Sequence, residues 1–208
     1  RAIERLGQHT NIKILGSLKE GRLSILSFLI RDESNKQQYL HFGFVATLLN
    51  DLFGIQARGG CSCAGRYGHY LLDIDHAGSE ALEIAIAEGE LRSKPGWVRV
   101  NFNYFIDEAT FDYLLSAIEL VASHGARLIP EYEFDKDSGR FSHADGFTHR
   151  QPCLKAGDFY ACKATERSSE KDSVDDSKLA GYLCAAKAIL LNVPGEREQI
   201  QVVGSLSG

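Results

Sequence analysis

No run of apolar residues in this 208-residue sequence approaches the roughly 18–20 needed to span a bilayer. The longest, Leu23 to Ile30, contains two serines and is the length of a strand. Positive charge is not in excess either. The chain has 23 basic against 28 acidic residues, a formal charge of −5, and so no basic field to hold a phosphate backbone or an anionic lipid surface. Neither nucleic acid nor a membrane is expected as a partner. Five cysteines, Cys61, Cys63, Cys153, Cys162 and Cys184, are an odd number in a chain large enough to fold without staples. That argues against a secreted disulfide framework and predicts reduced thiols in a cytoplasmic setting. There is no internal repeat and no glycine-rich phosphate loop of the G-x-G-x-x-G or G-x-x-x-x-G-K type. The sequence opens on Arg1 without the apolar block and small-residue cleavage site of a signal peptide, and is read as a fragment or a processed chain.

What is present is an ordinary globular composition, 44% hydrophobic and 25% charged, which predicts a packed core. Arg1 to Leu6 reads as a short helix stopped by Gly7, and Asn11 to Leu15 as a short strand. Leu23 to Ile30 reads as a strand buried on both faces. Leu40, Phe44, Val45, Leu48, Leu49 and Leu52 recur at three- and four-residue steps and predict a helix over 37–52 with Gly54 as its stop. Gly54 to Gly65 reads as a strand ending in a tight loop, and 79–89 as a further helix. Trp97 to Phe102 alternates with period two, which sends Val98 and Val100 to one face and Arg99 and Asn101 to the other. Asp107 caps a long amphipathic helix that ends before Gly125. Strands alternating with helices predict an α/β (α+β) sandwich with helices on one face. Its expected limits are residues 1–135, followed by a polar linker at 136–177 and a C-terminal helix and tail at 178–208.

The chemistry gathers in Arg58-Gly59-Gly60-Cys61-Ser62-Cys63-Ala64-Gly65. Glycines allow close approach of a ligand to the backbone. A thiol in such a loop reacts as its thiolate, which a neighbouring Arg58 or Arg66 favours, and a guanidinium can grip a carboxylate through two parallel hydrogen bonds. The same residues have plainer readings. Two cysteines can be small packing residues, Arg99 can be a solvated strand residue, and Cys61, Cys63 and His69 lack the second ligand pair of a zinc site, so no metal is expected. The histidines at 41, 69, 76 and 124 read as surface or capping residues.

Two motifs in order carry a family resemblance. Arg58-x-Gly60-x-x-Cys63-Ala64 follows a helix ending Leu48-Leu49-Asn50-Asp51-Leu52-Phe53-Gly54-Ile55. Pro95-Gly96-Trp97-Val98-Arg99-Val100-Asn101-Phe102 precedes the helix from Asp107. Over about residues 10–135 this resembles the C-terminal part of class V aminotransferase-fold enzymes, closest to the cysteine desulfurase and selenocysteine lyase type. The resemblance implies the small domain of a fold type I pyridoxal 5'-phosphate enzyme, normally a homodimer. The cofactor would sit mainly on a large domain N-terminal to this region, with the Schiff-base lysine upstream of Arg1. It implies Cys63 as the nucleophile that takes sulfur from substrate cysteine as a persulfide, for delivery to a sulfur-acceptor protein. Arg99 is implied as the clamp on the carboxylate of a small amino-acid substrate, and Arg58 as a second active-site arginine. Cys61 is an additional thiol, the spacing from Cys63 to Arg99 is longer than in compact desulfurases, and the stretch after about residue 145 has no counterpart. Class V transaminases and epimerases, which do not use the cysteine, and a non-catalytic fragment or interaction module are the alternative readings.

Overall fold

The computed structural model describes residues 1–33, 35, 38–60, 65–146, 176–192 and 203–204. A four-stranded sheet is built from β1 (Ile12–Ile14), β2 (Ile25–Ile30), β4 (Arg58–Gly60) and β5 (Trp97–Asn101). Its strand order is β1-β2-β5-β4, with every neighbouring pair antiparallel. The register places Leu26 beside Val100 and Phe28 beside Val98. All four are buried on the inner face, so the period-two pattern of β5 is a real face assignment. Among the described residues two smaller pairs complete the strands: β3 (Tyr39–Leu40) with β8 (Val203–Gly204), and β6 (Tyr132–Asp135) with β7 (Arg140–His143).

The inner face is covered by α2 (Phe42–Phe53) and α5 (Glu108–His124). Both helices begin and end where local chemistry dictates. His41 precedes α2 and its Nδ1 accepts the Gly43 N–H at 3.0 Å, satisfying a first-turn amide. At the other end Gly54 turns left-handed at φ 65°, and the amides of Gly54 and Ile55 close on the carbonyls of Asn50 and Leu49. Asp107 does for α5 what His41 does for α2, accepting the Thr110 N–H at 2.7 Å. Phe44, Leu48 and Leu49 of α2 meet Leu115, Ile118 and Val121 of α5 in one continuous core. The N-terminal helix α1 (Ala2–Leu6) is held to α5 through Arg5, which donates to Glu119 at 2.7 Å and to Ser116 at 2.8 Å. Between β4 and β5 lie α3 (Gly65–Leu71) and α4 (His76–Ala87), the latter without a single buried residue. The last helix, α6 (Asp176–Leu191), packs on α5 and α2 and buries Ala186 and Leu190 in the same core. Among the described residues no helix is long and apolar enough to cross a membrane.

The mixed α/β character agrees with the sequence reading, and several boundaries do not. Strand β2 starts at Ile25, because Leu23 is exposed, and it is covered on its second face only at Leu29. The helix expected from residue 37 starts at Phe42, since Tyr39 and Leu40 are taken into a strand pair. The tight loop expected to end at Gly65 is followed at once by a helix over 65–71, where no element was expected, and Asp73 follows in the left-handed region at φ 56°. The first part of the expected 136–177 linker is a strand: β7 pairs with β6, and its Phe141 is buried against Phe44. The helices are not confined to one face either. The end of α3 lays Leu71, Leu72 and Ile74 over Trp97, Leu29 and Leu15 on the outer face.

Candidate functional site

The outer face that α3 leaves open contains the two arginines singled out by the sequence. Arg58 and Arg99 are direct partners in the β4–β5 register, and Ser27 of β2 is the partner of Arg99 on its other side. Residues opposite one another across an antiparallel pair point to the same face, with Cβ atoms about 5 Å apart. Ser27, Arg99 and Arg58 therefore form one rung, hydroxyl, guanidinium, guanidinium, across three strands. Ser27 and Arg99 are half-buried and Arg58 is exposed. Like charges directly opposite are destabilising, and among the described residues no carboxylate pairs with either arginine. Trp97, one step along the same face and buried, walls one end of the rung. The arrangement can bind an anion, above all a planar carboxylate that two forked donors can grip together.

The glycines around this rung serve packing as well as reach. A Cβ at Gly59 would lie 2.7 Å from the Phe42 ring, and one at Gly96 would lie 2.6 Å from that ring and 2.7 Å from the Gly60 Cα. The first turn of α2 thus pushes an aromatic ring against the β4–β5 pair, and only glycine leaves room for it. Gly96→Ala has a rigid backbone atom in its way. It should cost about 2 kcal/mol of stability, as overpacking does, seen as a lower urea midpoint at unchanged slope.

Cys61 and Cys63 lie outside the described residues, and so do Cys153 and Cys162. Cys184, on α6, is exposed. Among the described residues no lysine is buried, and the half-buried Lys13 is committed to Asp73 at 3.0 Å. The described groups suited to a carboxylate are the two guanidiniums of the rung.

A second feature has no counterpart in the sequence reading. A cavity of about 680 Å³ opens between α2 and β7, and its lining includes Thr47, Asn50, Asp51, Gln56, Arg140 and His143 but neither arginine of the rung. At its rim Tyr132 donates its hydroxyl to Asp51 at 3.1 Å; burial first, and then the adjacent carboxylate, push the phenol well above its ordinary pKa. Glu131, His143 and Asp145 cluster at the base of the β6–β7 hairpin beside it. The signal that could have found them is the alternation Tyr132-Glu133-Phe134 and Arg140-Phe141-Ser142-His143 on either side of a polar turn. No family model, curated protein or solved structure matches the chain.

Proposed function

We propose that the chain is the substrate-carboxylate-binding lobe of a pyridoxal-phosphate enzyme of the class V aminotransferase type, acting on cysteine or a closely related amino acid. The observation that carries the reading is the rung itself. Two guanidiniums that repel one another and have no carboxylate partner among the described residues share one open face, and a bound carboxylate turns that repulsion into a two-armed grip. Cys63 follows Gly60, the last residue of β4, by three positions in the sequence.

In this reading Arg99 fixes the amino acid through its carboxylate, Arg58 adds a second arm, and Cys63 takes the sulfur. A bond forms between the Cys63 Sγ and the substrate sulfur while the carbon–sulfur bond breaks. The electron pair of that bond stays on the carbon, which takes up a proton to give alanine, and the enzyme is left as a persulfide. The cofactor belongs to a larger lobe outside this chain, and the full-length protein is a homodimer that hands its sulfur to an acceptor protein. Product analysis of the full-length protein tests the reading. With cysteine it should yield alanine and enzyme-bound sulfane sulfur in equal amounts. Transfer of the amino group to a keto acid without sulfur release would replace it with the transaminase reading. Absence of any amino-acid binding would leave a non-catalytic module.

A further inference from the structure

We infer that the base of the β6–β7 hairpin is a binding site for a divalent transition-metal cation of the zinc class, formed by Glu131, His143 and Asp145. The inference rests on the hairpin alone and is independent of the proposed activity.

One ring nitrogen of His143 and one carboxylate oxygen from each of Glu131 and Asp145 lie within 4.8 Å of one another. A cation about 2.0–2.2 Å from each of three donors requires donor separations of about 3–4 Å, so small side-chain rotations close the set. The scaffold around them is well defined. Tyr132 and His143 are register partners, the Ala144 N–H closes on the Glu131 carbonyl at 2.8 Å, and the ring of Tyr132 stands edge-on to the imidazole at 5.3 Å. The backbone around Glu131 and the position of the imidazole are thereby set by a strand pair. Site groups mounted on regular structure hold their geometry better than those mounted on loops.

The chemistry of the donors selects the ion. His143 Nδ1 accepts the Asp145 amide at 3.2 Å, a long bond that a cation can replace. One imidazole with two carboxylates suits zinc and its first-row neighbours. Magnesium and calcium prefer all-oxygen shells with more ligands. Two carboxylates also supply the charge that balances a doubly charged ion. Three protein ligands leave a position open, and because His143 lines the cavity beside α2, that position can be filled from the cavity by water or a small anion.

The test is titration of the full chain with Zn²⁺, and with Co²⁺ as its spectroscopic substitute, in wild type and in two single variants. His143→Gln removes the nitrogen ligand, and Asp145→Asn alters an exposed side chain whose change leaves the fold intact. The expected result is one bound ion with no thiolate-to-cobalt charge-transfer band. Each variant should weaken binding at least about tenfold, the lower bound for losing even a supporting residue of a metal site. Millimolar Mg²⁺ should not compete. Three results would overturn the inference: no saturable Zn²⁺ binding, equal affinity in wild type and Asp145→Asn, or a thiolate band that persists in both variants and so places the ion on cysteine.

Discussion

In the full-length protein, Arg99→Ala is expected to raise the KM for the amino-acid substrate roughly 30- to 150-fold, the equivalent of losing about 2–3 kcal/mol of charge-assisted hydrogen bonding to a carboxylate. The stability of the protein should not fall with it. Arg99 faces Arg58 across the rung, and removing one of two opposed like charges relieves repulsion. A residue retained for packing would show the reverse pattern, lower stability with unchanged KM, and that outcome would discard the clamp. Arg99→Lys should recover only part of the loss, since an ammonium has the charge without the planar fork. Cys63→Ala provides the crossed measurement: binding of the amino acid retained, sulfur release abolished. Alanine production at the wild-type rate in that variant would remove the persulfide step while leaving the carboxylate site standing.

The stability of the fold should also decline by about 3 kcal/mol as the pH falls from 6.5 to 4, through His41 alone. The imidazole is 6% exposed, and its Nδ1 is occupied by the Gly43 amide. Its Nε2 is buried without a hydrogen-bond partner among the described residues, and the ring packs against Phe42, Phe134 and Phe141. The Arg92 guanidinium, which lies over Phe134, is the nearby charge. Burial, and secondarily Arg92, push its pKa down from 6.5 to about 4. The folded state therefore favours the neutral ring. The stabilisation is complete above the unfolded-state value of 6.5, and is lost as protons bind the unfolded chain first on acidification. His41→Asn keeps a capping acceptor for α2 and removes the titration. Urea unfolding at several pH values should show a markedly flatter dependence in the variant between pH 6.5 and 4. Parallel curves would show that the buried ring does not control acid sensitivity.

How much of this was legible in the sequence depended on whether the information was local. Gly54 and Asp107 end and begin helices through bonds that span only a few residues, and both were readable as stop and cap. The two-residue alternation of β5 gave the face of Arg99 directly. The start of α2 was not readable, because Tyr39 and Leu40 pair with residues 203–204 at the far end of the chain. Charge and glycine between Asp135 and Arg140 suggested a linker. The burial that makes β6 and β7 strands is supplied from elsewhere, by Phe44 of α2 against Tyr132 and Phe141. For the candidate site, Arg58 and Arg99 could be named but not brought together, since only the β4–β5 register makes them neighbours. The Glu131, His143 and Asp145 cluster was missed for the same reason: its members meet only once the hairpin has formed.

The two outermost strands of the main sheet, β1 and β4, are each only three residues long; one carries Lys13 and the other Arg58, with two glycines. Short, charged, glycine-bearing margins are poor templates for a stray chain, because too few amides are on offer and stacking two copies would bring ammonium and guanidinium groups together. Self-association into extended cross-molecular ribbons is thereby discouraged at the borders where an antiparallel sheet is most exposed to it.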